Sequence, residues 1–221
     1  MSNRQNTILA RILTTLLGLP WVEIIAEAWK LGKKLVRGLS QEGIYEVLDY
    51  EAPLELLNKK GTKARYQKRK KVRYLQEDVI VFQDRAWGDG EILLNYKTST
   101  GVLVDKYRSG YKTYLLLSLR EEKNRGDVDT FNISWEICNG FLKSDEFWDT
   151  DITERTKRIR IHVIFPKDRP PQRVTLRETN RRRTHYLGGE YRKKLSDGRV
   201  KVTWEKKKPR LYEHYLMRWR W

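Results

Sequence analysis

Hydrophobic residues in the first 42 positions recur with the period of an α-helix. The spacing of three and four residues begins at Ile8 and resumes after Pro20, a residue type that favours the first turn of a helix. The pattern therefore predicts an amphipathic α-helical arm over residues 1–42, made of two consecutive helices or one kinked helix. The positions predicted to meet a partner protein or a membrane surface are Ile12, Leu16, Trp21, Ile25, Trp29 and Lys33.

Over residues 43–221 the hydrophobic period changes to two, which is the period of a β-strand. Glycine-containing turn signals, such as Asp89-Gly90 and Asp197-Gly198, separate these short strands at close intervals. Many short strands with tight turns and no intervening helices indicate antiparallel pairing. The sequence therefore predicts a mainly β protein, with an antiparallel β-sandwich or open barrel over residues 43–221 and the helical arm before it.

Charge is distributed unevenly along the chain. Its 221 residues include 46 Lys and Arg against 29 Asp and Glu, which gives a net charge of +17. The cations concentrate in residues 59–74 and 155–221, whereas residues 75–154 are net negative. A polarised, strongly basic molecule attracts polyanions such as nucleic acid, anionic lipid or an acidic protein.

The single cysteine, Cys138, excludes an internal disulfide and a multi-cysteine metal site. A reducing, cytoplasmic location is therefore expected, with peripheral attachment to a membrane as the alternative. The apolar run that begins at Ile8 is too short for a confident membrane span.

The basic run from Lys59 to Tyr74 carries nine cations and no carboxylate. If residues 59–61 form a three-residue hairpin loop, the run becomes the second strand of a hairpin. Some cations then face carboxylates, and the strand is explained as a solvated hairpin face, but Lys68 and Lys70 have no counter-charge and are predicted to contact an external anion. The predicted facing pairs are Glu55 with Arg65, Glu51 with Arg69, Asp49 with Lys71, Leu56 with Ala64, Leu54 with Tyr66, and Leu48 with Val72.

A second hairpin is predicted around the turn at Asp197-Gly198. A two-residue loop places Lys194 opposite Lys201, and no carboxylate lies on their face of the ladder. Like charges that face each other across a ladder are destabilising, so an external anion would complete this face. Protection of a sheet edge from aggregation is the alternative explanation.

Non-catalytic binding of a polyanion, with nucleic acid first, is the function that these patterns favour. Lys and Arg contacts to phosphate predict steep salt dependence and weak sequence preference for either DNA or RNA. The residues predicted to contact phosphate on a basic sheet face are Lys68, Lys70, Arg181, Arg182, Arg192, Lys194, Arg199 and Lys201.

The C-terminal strand alternates two chemistries. Its aromatic set is expected in the core, and the interleaved Arg218 and Arg220 then lie on the opposite face. Arginines beside exposed aromatic rings would instead form a stacking platform for unpaired bases. The set expected in the core is Tyr215, Met217, Trp219 and Trp221.

A metal-dependent nuclease is a third hypothesis. Asp84, Asp89 and Glu91 are weak candidates for its catalytic site, because hard divalent cations prefer carboxylate oxygens. The spacing matches no metal-binding loop, and the sequence around Asp89 is more typical of a turn. No phosphate-binding loop, catalytic triad or Cys/His metal spacing is present, so no cofactor or metal is predicted.

The remaining hypothesis is an interaction, scaffold or sensor module, such as an accessory of a bacterial defence or signalling complex. In that case the helical arm over residues 1–42 attaches the β domain to a partner protein or to an anionic membrane, or pairs in a homo-oligomer.

Overall fold

A computed structural model describes residues 43–221 of the protein. The predicted helical arm, with Ile12, Leu16, Trp21, Ile25, Trp29 and Lys33, lies outside the described residues. Between residues 43 and 221, no helix is long and apolar enough to cross a membrane.

The described chain is mainly β, as the alternating pattern predicts. One short 3-10 helix, Gly189–Tyr191, is its only helical element among residues 43–221. The strands are β1 (Tyr45–Leu56), β2 (Lys63–Tyr74), β3 (Val79–Ala86), β4 (Glu91–Thr98), β5 (Val102–Ser109), β6 (Lys112–Lys123), β7 (Val128–Cys138), β8 (Asp145–Asp151), β9 (Arg158–Phe165), β10 (Arg173–Glu178), β11 (Arg183–Tyr186), β12 (Arg192–Lys194), β13 (Val200–Lys207) and β14 (His214–Arg220).

These strands form three sheets. The largest has the order β12-β13-β9-β1-β2-β7-β4, the second β11-β10-β14-β8, and the third β3-β6-β5. Nearly all neighbours are antiparallel, but β1 and β9 run parallel, with Tyr50 beside Ile159. The expectation of purely antiparallel pairing is therefore wrong at this pair, because a long crossover from β1 to β9 returns the chain in the same direction.

The β1–β2 hairpin has the predicted register over most of its length. Glu55 faces Arg65, as the three-residue loop requires, and the remaining predicted pairs follow as far as Asp49. A β-bulge then shifts the register by one, so that Val72 faces Val47 instead of Leu48. The extra residue sits in β1, where the alternation of β1 alone gives no sign of it.

The β12–β13 hairpin differs from the predicted register by one residue. The backbone N–H of Leu195 donates to Arg199 O at 2.8 Å, so the loop has three residues and not two. Gly198, with φ of +87°, supplies the left-handed position that closes such a loop. Lys201 therefore faces Lys193, and Lys194 faces Val200.

A shared apolar core fills the space between the inward faces of the strands. The C-terminal aromatic set is part of it: Tyr215, Met217, Trp219 and Trp221 are all buried, as expected. The acidic segment 144–151 contains the edge strand β8, with Trp148 buried in the core. Its inward positions are Glu146, Trp148 and Thr150, and pairing with β14 holds the segment as a strand despite its charge density.

Candidate functional site

Lys68 and Lys70 lie inside the protein and not on a phosphate-binding surface. Both have the parity of Ala64 and Tyr66, the inward positions of β2, and they are 4% and 7% exposed. The Lys68 ammonium contacts the Asp84 carboxylate, and Lys70 Nζ lies 3.6 Å from Glu154. The prediction that these two lysines contact an external anion is therefore wrong.

The surroundings of Lys68 explain its internal role. Its Nζ also donates to Arg85 O at 3.1 Å and lies 5.0 Å from the centre of the Trp135 ring. Burial lowers the pKa of Lys68 to about 8, against the opposing effect of the Asp84 charge. The adjoining cavity has a volume of only about 20 Å³, the space of one water molecule, so no phosphodiester can enter.

Glu154 is the second buried carboxylate of this interior network. It receives Arg85 Nη2 at 3.3 Å in addition to the Lys70 ammonium. Burial raises the pKa of Glu154, but the nearby charges of Lys70 and Arg85 outweigh it and hold the pKa below its ordinary value. The acidic middle of the sequence thus neutralises part of the basic run from within.

Two more of the predicted phosphate contacts, Arg199 and Arg181, already form ion pairs within the protein. Arg199 Nε donates to Asp197 at 2.6 Å, and its guanidinium also contacts Glu55. Arg181 lies 3.8 Å from the carboxylates of Glu178 and of another buried residue, Glu213.

Arg192 is occupied by backbone acceptors. Its guanidinium donates to the carbonyl oxygens of Leu187, Pro171 and Gln172 at 3.1 to 3.3 Å. It therefore ties the strand β12 to two neighbouring chain segments, which is a structural role.

Arg182, Lys194 and Lys201 are the predicted contacts that keep their charge free of ion pairs with the described carboxylates. Arg182 and Lys194 are exposed, and Lys201 is half-buried opposite Lys193. The predicted set of eight cations does not form one surface, because its members lie in the interior, in ion pairs and in separate loops and strands.

Four arginines, three of them without an ion pair to the described carboxylates, share the outer face of the second sheet. Arg173 of β10 is directly opposite Arg220 of β14, and Arg177 and Arg218 have the same outward parity on these two strands. All four side chains are exposed. We call this surface, defined by Arg173, Arg177, Arg218 and Arg220, the arginine face.

One carboxylate opposes the arginine face on the neighbouring strand β8. Arg220 Nη2 donates to Asp145 at 2.9 Å, and this bond holds the pKa of Asp145 below its ordinary value. Arg173, Arg177 and Arg218 have no ion pair with the described carboxylates. Like charges in adjacent positions of a ladder are destabilising unless a counter-charge lies between them.

A shallow concavity and two aromatic rings complete this surface. The concavity has a volume of about 320 Å³ and is lined by three of the arginines, together with Thr175 and Thr184. Across the sheet, Tyr186 faces Thr175, and Phe147 faces Arg218. These two rings are 60% and 46% exposed, so they flank the arginines at both sides of the sheet.

Part of the arginine face was visible in the sequence. Arg218 and Arg220 follow from the alternation of β14, as expected, but Arg173 and Arg177 were missed. The segment 173–178 alternates Arg, Thr and Arg with the buried Val174 and Leu176, so parity alone would have found them. The pairing of β10 with β14, which brings the four arginines together, cannot be read from either strand.

The three weak metal candidates do not meet. Asp84 is 1% exposed against Lys68, whereas Asp89 and Glu91 are exposed on the β3–β4 turn and at the start of β4. Within residues 43–221, no three His, Cys, Asp or Glu side chains lie close enough to hold a metal ion. Asp84, Asp89 and Glu91 therefore do not form the metal site that the nuclease hypothesis requires.

Comparisons with known proteins give the chain no family. No family model matches it, and no curated protein matches its sequence. A Legionella pneumophila protein provisionally assigned to nutrient binding superposes with a TM-score of 0.49 and 6% identity, over 80% of this chain and 68% of that one. A provisionally assigned protease from Parabacteroides distasonis gives 0.48 and 10%, over 80% and 40%.

A zinc metallopeptidase of the M1 class from Deinococcus radiodurans gives a TM-score of 0.42 and 9% identity, over 80% of this chain and 42% of that one. Similarities at this level carry no functional argument.

Proposed function

We propose that the protein binds nucleic acid without cleaving it, through the arginine face of the second sheet. The observation that carries this proposal is the direct opposition of Arg173 and Arg220, with Arg177 and Arg218 on the same surface and one carboxylate among them. An external row of phosphates supplies the counter-charges that the described residues provide only at Asp145.

The chemistry of these side chains suits phosphate. Arg presents its donors in a rigid planar fork that matches two oxygens of one phosphate. Thr175 and Thr184 add hydroxyl groups within the same concavity. Alternate residues along a strand are separated by about 6.6 Å, a spacing of the order of that between successive phosphates of an extended single strand.

The flanking rings favour single-stranded over double-stranded nucleic acid. Tyr186 and Phe147 expose their faces beside the arginines, and stacking of an unpaired base on such a ring contributes about 1–3 kcal/mol. In a duplex the bases are already stacked and cannot use these rings. Because every base has a π face, little sequence preference is expected.

The experiment is a fluorescence anisotropy titration of a labelled single-stranded oligonucleotide, as DNA and as RNA, at several salt concentrations. For contacts from three or four arginines, the logarithm of the affinity should fall against the logarithm of salt with a slope of about −2 to −3. A duplex of the same length should bind more weakly at each salt concentration.

A matched pair of variants distinguishes the arginine face from general net charge. The triple substitution Arg173→Gln, Arg177→Gln and Arg218→Gln should weaken binding at least about a hundredfold and reduce the slope by about 2. The control substitutes Lys193→Gln, Lys194→Gln and Lys201→Gln, which removes the same charge from the β12–β13 hairpin. Equal losses in both variants, or no binding of any oligonucleotide by the unmodified protein, would refute the proposal.

A further inference from the structure

A second concavity lies beside β8, on the side away from β14. It has a volume of about 360 Å³, and the β3–β4 connection, the β5–β6 hairpin, the end of β7 and β8 itself form its walls. We call it the β8 cleft. The lining residues that matter for its chemistry are Trp87, Asp89, Arg108, Tyr111, Glu146 and Asp149.

Among the described residues, no strand pairs with the edge of β8 that borders this cleft, because β8 is an edge strand of its sheet. At its two ends, Ile152 N donates to Glu213 O at 3.0 Å, and Ser144 O accepts from Trp221 N at 3.2 Å. Even-numbered residues thus bond to the β14 side. By the alternation of an antiparallel ladder, Phe147 directs its N–H and C=O away from β14, toward the open edge.

Such an edge is a template for an added strand. An extended peptide that pairs with β8 satisfies the open backbone groups and places alternate side chains into the adjoining cleft. Tyr111, which is 67% exposed, and Phe147 offer apolar contact to those side chains.

The cleft selects against anionic side chains. Its lining has three carboxylates, Asp89, Glu146 and Asp149, and one cation, Arg108, in a molecule whose net charge is +17. The Lys112 ammonium lies beside two of the lining rings. Glu146 is only 5% exposed, and its carboxylate accepts a hydrogen bond from Lys143 N at 2.6 Å. Burial raises the pKa of Glu146, together with the charge of Asp89 and against the opposing effects of Lys143 and Arg169, and a further cation beside the carboxylate would stabilise its charged form.

The protein's own Lys112 demonstrates what these walls accept. Its ammonium lies 5.0 Å from the centre of the Trp87 ring and 5.1 Å from that of Tyr111, and it donates to Asp151 at 2.6 Å. An aromatic ring and a carboxylate together stabilise a cation more than either does alone. Asp149, which accepts from Trp87 Nε1 at 2.5 Å, fixes the orientation of that ring.

We propose that the β8 cleft binds an extended segment of a partner protein by strand addition to β8, with an arginine or lysine side chain of that segment in the cleft. The proposal does not rest on nucleic-acid binding, since it needs the opposite ligand charge and the carboxylates of the cleft, Asp89, Glu146 and Asp149, lie outside the arginine face. Phe147 borders both surfaces.

The test uses the full chain and capped five-residue peptides, Ac-Thr-Val-Arg-Val-Thr-NH2 and two analogues, followed by calorimetry at about 150 mM salt. One analogue replaces Arg by citrulline, which keeps the shape and removes the charge. The other carries N-methyl groups on the backbone and cannot pair as a strand. Each analogue should bind at least about tenfold more weakly than the arginine peptide.

The protein variants localise the effect. Glu146→Gln preserves an acceptor for Lys143 N and should weaken the arginine peptide at least about fivefold while leaving the citrulline peptide unchanged. The control is Glu121→Gln, which removes the same charge from an exposed position at the far end of β6 and should change nothing. Three results would overturn the proposal. They are equal binding of the arginine and citrulline peptides, binding of arginine amide alone as tight as that of the arginine peptide, and no peptide binding.

Oligonucleotide titrations of the same samples keep the two proposals apart. Loss of peptide binding in Glu146→Gln with unchanged oligonucleotide affinity supports the cleft, whereas a parallel loss of both would show that the variant is damaged as a whole and would remove its support.

Discussion

Lys68 and Asp84 form an ion pair from which water is nearly excluded, with side chains 4% and 1% exposed. Both charges pay a desolvation penalty, and the contact between them offsets it only while both partners remain. This pair is therefore a test of whether Lys68 is structural or a phosphate ligand.

Lys68→Met alone should destabilise the fold by about 3–5 kcal/mol, because it leaves a buried carboxylate without a partner. The double variant Lys68→Met with Asp84→Leu should recover most of that loss, since an apolar pair of similar volume is often neutral or stabilising. Urea unfolding of the three proteins measures both effects. Oligonucleotide affinity should not change in the double variant, and a large loss there would restore Lys68 as a ligand.

His162 gives the fold a defined response to acid. Burial, followed by the charges of Lys201 and Arg160, lowers the pKa of His162 to about 4 from an ordinary 6.5. The unfolded chain therefore binds a proton first as the pH falls. The contribution of His162 to the free energy of unfolding is fully present above about pH 6.5, declines between about pH 6.5 and pH 4, and is lost below about pH 4.

The loss over that interval should be roughly 1–3 kcal/mol. His162→Gln can keep the hydrogen bond to Thr203 and has no proton to bind, so the difference in unfolding free energy between the two proteins should shift in its favour as pH falls from about 7 to about 4.5. His214 provides a contrast, because its bond to Asp151 raises its pKa and adds stability below about pH 6.5. A difference that does not vary with pH would refute the assignment.

At the scale of elements, the β1–β2 loop depends on the absence of one carbon atom. Gly61 has φ of +70°, and a Cβ placed on it would lie 1.7 Å from Phe141 O. That oxygen belongs to the backbone of the β7–β8 connection, whose N–H donates to Gly61 O at 3.2 Å. The hairpin loop and the connection are therefore fitted to each other.

Gly61→Ala should cost more than about 3 kcal/mol, because backbone atoms must move. Gly126→Ala is the matched control: its φ is +97°, nothing lies within 4 Å of the added carbon, and its cost should be about 1–2 kcal/mol from conformation alone. The difference between the unfolding free energies of the two variants, measured in urea, gives the steric part of the destabilisation. Similar costs at the two positions would contradict the fit described above.

The two hairpins show what alternation predicts at this scale. In β1–β2, the positive φ of Gly61 fixes a three-residue loop, so the facing pairs follow by counting from the turn. In β12–β13, Asp-Gly is compatible with loops of two or three residues, and the choice moves every pair by one. The parallel contact of β1 with β9 and the bulge in β1 depend on distant segments, which local periodicity does not encode.

Parity was also the signal that could have placed the lysines of β2 correctly. Lys68 and Lys70 share the inward positions of Tyr66 and Val72, and an inward cation requires a buried carboxylate. The sequence does not say which carboxylate, because Asp84 and Glu154 belong to other strands and connections. A high density of charge on a strand is thus no measure of the charge that it presents to solvent.

At the scale of the whole molecule, basic and acidic residues that are segregated along the sequence form ion pairs with one another in the fold. Acidic residues of the middle segment reach the interior network and Arg220, whereas Asp49 holds Arg69, Arg158 and Arg160 at 3.3, 2.7 and 3.2 Å. Three of the cations that have no ion pair with the described carboxylates, Arg173, Arg177 and Arg218, lie together where β10 meets β14. The proposed function therefore depends on sheet pairing and not on the sum of charges.

This leads to a prediction for the chain without its first 42 residues. The arginine face is assembled from β10 and β14, and the described residues form an apolar core of their own between Ile44 and Trp221, so we expect a chain that begins at residue 43 to unfold cooperatively. Since residues 1–42 contribute a net charge of only +3, its affinity for a single-stranded oligonucleotide should stay within about threefold at equal salt. The Arg173, Arg177 and Arg218 triple variant of the shortened chain should lose binding as it does in the full chain. A loss of affinity of more than about tenfold on truncation alone would place essential contacts in the first 42 residues. Removal of so few charges from a diffuse electrostatic field changes an affinity far less than removal of a localised row of guanidinium groups.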